Sequence, residues 1–286
     1  VLNIGNYMLC NYQFFKNVYS VENKITDLFF REEPTGAIDD CFIIHKNIYA
    51  IDRVKAKFIF FKKIEKFINC TLYCCSNHTE NNYKISYINN HSLSKVIVKD
   101  NTNDIVQCVN ENNSLFNPIY DLSENFLKHQ YNEYFYNLLD KDNLSKLEEK
   151  LKIAVDWIGQ SYRNPSLQQK FMFLCISLET LLTPSKTSIF ESGIIHKLSL
   201  TTAILIGKDT NDKQRILALI KKLYSKRCAI SHRGYSSDLC MKDYFDLLEI
   251  LYPLTKKICE LIIEKDIKSQ EELDNYVQNM ILSVSV

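Results

Sequence analysis

The chain has 286 residues, 46% hydrophobic and 24% charged, with 35 Lys and Arg against 34 Asp and Glu. That composition excludes general disorder, and the balanced charge excludes a global field that would draw in nucleic acid, so any such contact must be a local patch. No run reaches the roughly 18 apolar residues of a membrane span, and ten scattered cysteines in a chain long enough to build its own core read as reduced thiols of a cytoplasmic protein with no membrane partner.

The opening VLNIGNYMLCNY has no basic region followed by an apolar one, so it does not read as a signal peptide. It begins at Val1 rather than Met, as a fragment or a processed chain would. The first forty residues carry little pattern. After them come short runs rich in Ile, Val, Phe and Tyr, at 41–52, 55–64, 70–75, 82–88 and 94–100, which predict strands of a small antiparallel sheet. SNHTENN and NNHSLS between them are turn chemistry. An Asn-rich run at 101–125 is the expected boundary, giving a β-rich domain over 1–120 and a second domain over 121–286.

Beyond it the period becomes helical. Leu144, Leu147, Leu151, Ala154 and Ile158 share a stripe, with Asp142 or Asn143 as the expected cap. RNPS at 163–166 breaks the chain. A second helix carries Phe171, Leu174, Cys175, Leu178, Leu181 and Leu182 on one face and stops before Pro184. A third is predicted over about 191–206, ending at Gly207. A fourth starts near 212 with Ile216, Ile220, Leu223 and Tyr224 inward, and a fifth starts near 239, with a kink expected at Pro253. Ser269 and Glu272 form a capping-box signature for a short last helix. The second domain is thus a helical bundle, and the expected class is α+β: a β-rich N-terminal domain followed by an all-α bundle.

The fourth helix raises the functional question. One turn past Leu223 its apolar stripe meets Arg227, a charge that must be paired or must reach a ligand. His232 lies on the neighbouring stripe, below Tyr224 and Cys228. Five residues turn an ideal helix through about 140°, so Arg227 and His232 do not stack on one straight helix. Convergence would have to come from the helix ending at Gly234, or from a second copy of the helix across a two-fold axis.

Arg, four residues, then His at the end of a bundle helix resembles the signature of HEPN domains, small helical bundles found in many RNA-cleaving toxins and defence proteins. FLCISLETLL (173–182), IIHKLSLTTAIL (194–205) and LIKKLYSKRCAISHRG (219–234) look like successive helices of the Apea-like HEPN group. The resemblance covers about residues 140–265. It implies a metal-independent endoribonuclease without a cofactor, acting in antiviral defence or as a toxin, whose 2′-OH chemistry leaves a 2′,3′-cyclic phosphate and a free 5′-OH. In that reading His232 is the acid or base, being the side-chain type that changes charge near physiological pH. Arg227 holds the scissile phosphate, and Glu179 is the acidic residue that precedes the motif and would orient Arg227 or His232. Lys226 and Arg233 flank the pair and would meet neighbouring phosphates. The resemblance also implies a homodimer that brings two motifs face to face, with the N-terminal domain sensing a trigger or an inhibitor. The alternative is a non-catalytic HEPN-like module for dimerisation or for binding nucleotide or RNA, with Arg227 a structural partner of Glu179. Cys228 favours it, standing where many active members carry a small polar residue. Arg227 buried against Glu179 within one chain would speak for the module. Two His232 side chains within reach of one phosphate would speak for the nuclease.

Other constellations carry less. Cys70, Cys74, Cys75 and His78 are zinc-ligand types, but their spacing is not a knuckle and the run reads as a strand with buried thiols. His45, His91 and His129 are isolated. KFIFFKKIEKF at 57–67 interleaves Lys with Phe, as a single-stranded nucleic-acid surface does and as a half-exposed strand with a basic outer face also does. With six glycines and no Gly-rich turn, phosphate-cradling loops are excluded. Trp157 reads as core.

Overall fold

The computed structural model describes residues 2–4, 6–11, 41–45, 48–76, 95–99, 105–110, 131–183 and 191–284. They are predominantly helical, and the expectation of a β-rich N-terminal domain, with the α+β class built on it, is overturned. The overturning element is α1 (Arg53–Ser76), one helix of 24 residues that runs through both strands predicted at 55–64 and 70–75. No Gly or Pro interrupts this stretch. Its buried positions include Ile64, Phe67, Cys70 and Cys74, spaced three to four apart. Asp52 caps it, accepting the Lys55 backbone N–H at 2.7 Å.

The described strands are short. β1 (Leu2–Ile4), β2 (Tyr7–Asn11) and β3 (Cys41–His45) pair antiparallel in that order, with Leu2 opposite Leu9 and Tyr7 opposite His45. β4 (Lys95–Lys99) pairs with β5 (Ile105–Asn110), with a register shift at Val98/Lys99. The strand predicted at 82–88, and His78, His91 and His129, lie outside the described residues.

The chain divides into two compact units, 1–67 with 83–140, and 68–82 with 141–286. In the first, a short helix α2 (Asn132–Asp140) buries Phe135, Tyr136 and Leu138. Tyr7 stacks on Phe67 with ring centroids 4.5 Å apart, Phe67 meets Tyr136 at 5.3 Å, and the Tyr7 hydroxyl donates to the Lys63 carbonyl. Lys63 pairs with Asp140 at 3.1 Å.

Every regular element described in the second unit is a helix. α3 (Lys146–Arg163) buries Leu147, Leu151, Ala154 and Ile158, the predicted stripe. Its cap is Ser145, two residues beyond the expected Asn143, because Ser145 and Glu148 complete a reciprocal capping box. Ser166 caps α4 (Leu167–Leu182), which buries the predicted Phe171, Leu174, Cys175, Leu178, Leu181 and Leu182. α5 (Glu191–Ile206) stops before Gly207, and Asp209 starts α6 (Thr210–Arg233). α7 (Met241–Lys265) stays helical through Pro253, and the Ser269–Glu272 box opens α8 (Gln270–Val284).

α3 packs chiefly on α4 and α5 on α6, while α7 touches α3, α4, α5 and α6. The last turns of α1 join this core. Asn69, fully buried, donates to Asp156 at 2.7 Å, and the Tyr73 hydroxyl shares a 2.7 Å hydrogen bond with Thr255. Gly159 makes room for that approach, since a Cβ there would overlap the Asn69 carbonyl oxygen. Trp157 is half-buried, with its ring 5.2 Å from Phe173.

Candidate functional site at the end of the fourth bundle helix

α6 carries four of the five residues singled out from the sequence, and α4 carries the fifth. Their positions follow from local chemistry. The Ile216, Ile220 and Leu223 stripe is buried, which turns Arg227, the next position on that seam, toward α4. Gly234 ends the helix with φ 80°, and its N–H returns to the Ile230 carbonyl. Only glycine takes this left-handed conformation without a Cβ penalty.

Arg227 meets Glu179 side-on. Its Nε donates to Oε1 at 2.8 Å and its Nη2 to Oε2 at 3.2 Å. Both side chains remain about a quarter exposed, at 25% and 23%. A guanidinium has five N–H donors, so this forked pair leaves the rest of them, Nη1 included, for another acceptor. Burial pulls the Arg227 guanidinium toward losing its proton, but the Glu179 charge and hydrogen bonds outweigh it and hold the cation more firmly than usual.

Tyr224 completes the cluster, one turn before Arg227. The Arg227 Cζ lies 5.5 Å from its ring centroid, a cation–π contact. Burial, then the Glu179 charge, raises its phenol well above the ordinary tyrosine value. Cys175 lies below, buried, its thiol raised by burial and by the same carboxylate. By its period Tyr224 belongs with the core stripe; its place one turn before a seam arginine is the signal in the sequence that it has a further role.

His232 and Arg233 sit in the last turn of α6, and both are exposed. The helix is continuous from Thr210 to Arg233, so no local break brings His232 round to Arg227. Convergence by early termination at Gly234 is thereby ruled out within the chain, because Gly234 caps the helix after His232 rather than bending it before.

Lys226 departs from expectation. The sequence reading placed it as a phosphate contact, but its side chain is only 7% exposed and its ammonium is already engaged. It donates to Asp243 Oδ2 at 2.9 Å and to the Asp238 carbonyl at 2.7 Å, with the Asp238 carboxylate at 3.3 Å. Burial disfavours its charge, yet these hydrogen bonds outweigh the burial and hold its pKa above the ordinary lysine value. Asp243 is 2% exposed and also accepts from the Cys240 backbone N–H and thiol. Lys226 thus ties the corner between α6 and α7, and Arg233 remains the exposed flanking cation.

No group of three or more His, Cys, Asp or Glu among the described residues could hold a metal ion. Cys70 and Cys74 are buried free thiols on α1, a helix and not the strand expected there. No helix among the described residues is long and apolar enough to cross a membrane. No protein-family model, curated protein or solved structure matches the chain.

Proposed function

We propose that the chain is a cytoplasmic endoribonuclease of the HEPN type, working as a homodimer without a metal. The observation that carries this reading is the side-on Arg227–Glu179 pair, which is not the buried pair the module would have, since both side chains keep about a quarter of their surface exposed. It fixes the guanidinium while leaving part of its donor edge free and partly exposed, on the same helix that presents His232 to solvent. The carboxylate orients the arginine, and the arginine holds the phosphate oxygens and stabilises charge that grows in the transition state. Because Arg227 and His232 do not converge along α6, a second copy supplies the missing geometry. One His232 takes the 2′-OH proton as that oxygen attacks phosphorus. The other His232 gives a proton to the 5′-oxygen as the P–O5′ bond breaks, leaving a 2′,3′-cyclic phosphate and a 5′-OH. Arg233 meets an adjacent phosphate, and Tyr235, exposed just past Gly234, offers a ring to a neighbouring base.

The test is cleavage of a mixed RNA pool in EDTA, with end-group analysis, by wild type, His232→Ala and Arg227→Ala. Cyclic-phosphate products from wild type, falling about 10²–10⁴-fold in His232→Ala, support the reading. The second reading, a non-catalytic module, is favoured by the mutual neutralisation of Arg227 and Glu179 within one chain. It predicts that His232→Ala changes nothing, while Arg227→Ala lowers stability because Glu179 loses its partner.

A further inference from the structure

The first unit carries a surface that the RNA reading leaves unused. Of the ten large apolar side chains exposed among the described residues, four fall within 49–58: Tyr49 at 88%, Ile51 at 95%, Val54 at 79% and Phe58 at 50%. They lie at and just before the start of α1. The same helix is strongly basic in a chain whose overall charge is balanced. Residues 53–66 hold six Lys and Arg and one acid, Glu65. Lys63 is used internally by Asp140, and Asp52 caps the helix, but Lys55, Lys62 and Lys66 are exposed. The ammonium groups of Lys55 and Lys62 stand 5.5 and 4.5 Å from the Phe58 ring centroid.

We infer that this end of α1 docks on an anionic lipid surface. Two features select lipid over single-stranded nucleic acid. Ile51 and Val54, the most exposed aliphatic groups here, offer a base no stacking surface, whereas an acyl boundary takes them readily. The Phe58 ring is attended by two lysine heads, which competes with base stacking. The same arrangement suits a membrane interface, where apolar tips lie beneath the headgroups and lysine heads reach back to the phosphates. Charge complementarity supplies the long-range attraction and the four apolar side chains the short-range hold. This is attachment to a surface, distinct from a span; it departs from the expectation of no membrane partner, which addressed only spanning segments, and it stands independently of the nuclease reading.

The experiment is co-sedimentation of the full chain with phosphatidylcholine vesicles, with and without phosphatidylserine. Binding is expected only when phosphatidylserine is present, and it weakens as salt is raised. Lys55→Gln with Lys62→Gln should reduce the partition about tenfold or more. Ile51→Ser with Val54→Ser should reduce it comparably at unchanged charge. All four positions are exposed, and circular dichroism confirms that each variant is folded. No vesicle binding, or binding indifferent to all four substitutions, overturns the inference. Oligouridylate binding that these substitutions abolish, without vesicle association, also overturns it and gives the face to RNA.

Discussion

Asp243→Ala is expected to lower the stability of the second unit by about 3 kcal/mol, at the low end of the range for breaking a buried ion pair. The reason is the charge left behind. Lys226 is 7% exposed, and without Asp243 its ammonium keeps only the carbonyl and the exposed carboxylate of Asp238. The Cys240 N–H, which helps start α7, loses its acceptor at the same time. The urea midpoint should fall, and amide exchange should quicken at 234–240, the corner that follows His232. A pH signature accompanies this. Burial would raise the Asp243 carboxyl, but the hydrogen bonds from Lys226 and Cys240 outweigh it and hold it below the ordinary 3.8. Its folded-state pKa is therefore depressed. Its contribution is complete above about pH 4 and is lost as pH falls through the folded value. Asp243→Asn should remove this share of the acid sensitivity. An unchanged urea midpoint in Asp243→Ala would show that the buried pair is not formed.

Gly159→Ala provides a second large effect, with a sign that decides the matter. In a helix interior, Ala is ordinarily better than Gly by about 1 kcal/mol. Here the added Cβ would overlap the Asn69 carbonyl oxygen and lie 2.5 Å from the Asn69 Cα. Backbone cannot rotate aside, so the end of α1 must move off α3. That movement strains the Asn69–Asp156 and Arg163–Asn69 hydrogen bonds and the Tyr73–Thr255 bond beyond them. Overpacking of this kind costs about 3 kcal/mol, enough to reverse the propensity term. Thermal unfolding of the variant measures the net effect. A variant more stable than wild type would mean that α1 and α3 do not approach at this point.

Much of the candidate site was legible because its determinants are local. The apolar stripe of α6, the arginine that interrupts it and the glycine that ends it lie within a few turns of one another, and the helical period reports them directly. Glu179 came from the HEPN resemblance, which expects an acidic residue ahead of the motif; a charge on a seam demands a partner, but the local pattern does not say which helix supplies it. Lys226 was misassigned for the opposite reason. Its partners follow it by 12 and 17 residues, across the turn into α7, and nothing in the local pattern distinguishes a buried lysine from a solvated one. The same limit hid the influence of the Glu179 charge on Tyr224, 45 positions away in the chain.

Periodicity, capping boxes and breakers thus determined the helices from α3 to α8 from the sequence alone, because each is stabilised by interactions within about one turn. The residues of α1 lacked such a decision. Short aromatic and β-branched runs suit a strand or a buried helix equally well, and the balance is set by what they pack against. Only the tertiary structure decided it, by burying Ile64 and Phe67 in one unit and Asn69 and Tyr73 in the other. Tertiary structure likewise determined which charges are free to act. Lys226 is bound to two aspartates, Arg227 is half engaged and His232 is open, and that ordering depends on the path of α4 and α7 past the end of α6, which no single helix encodes.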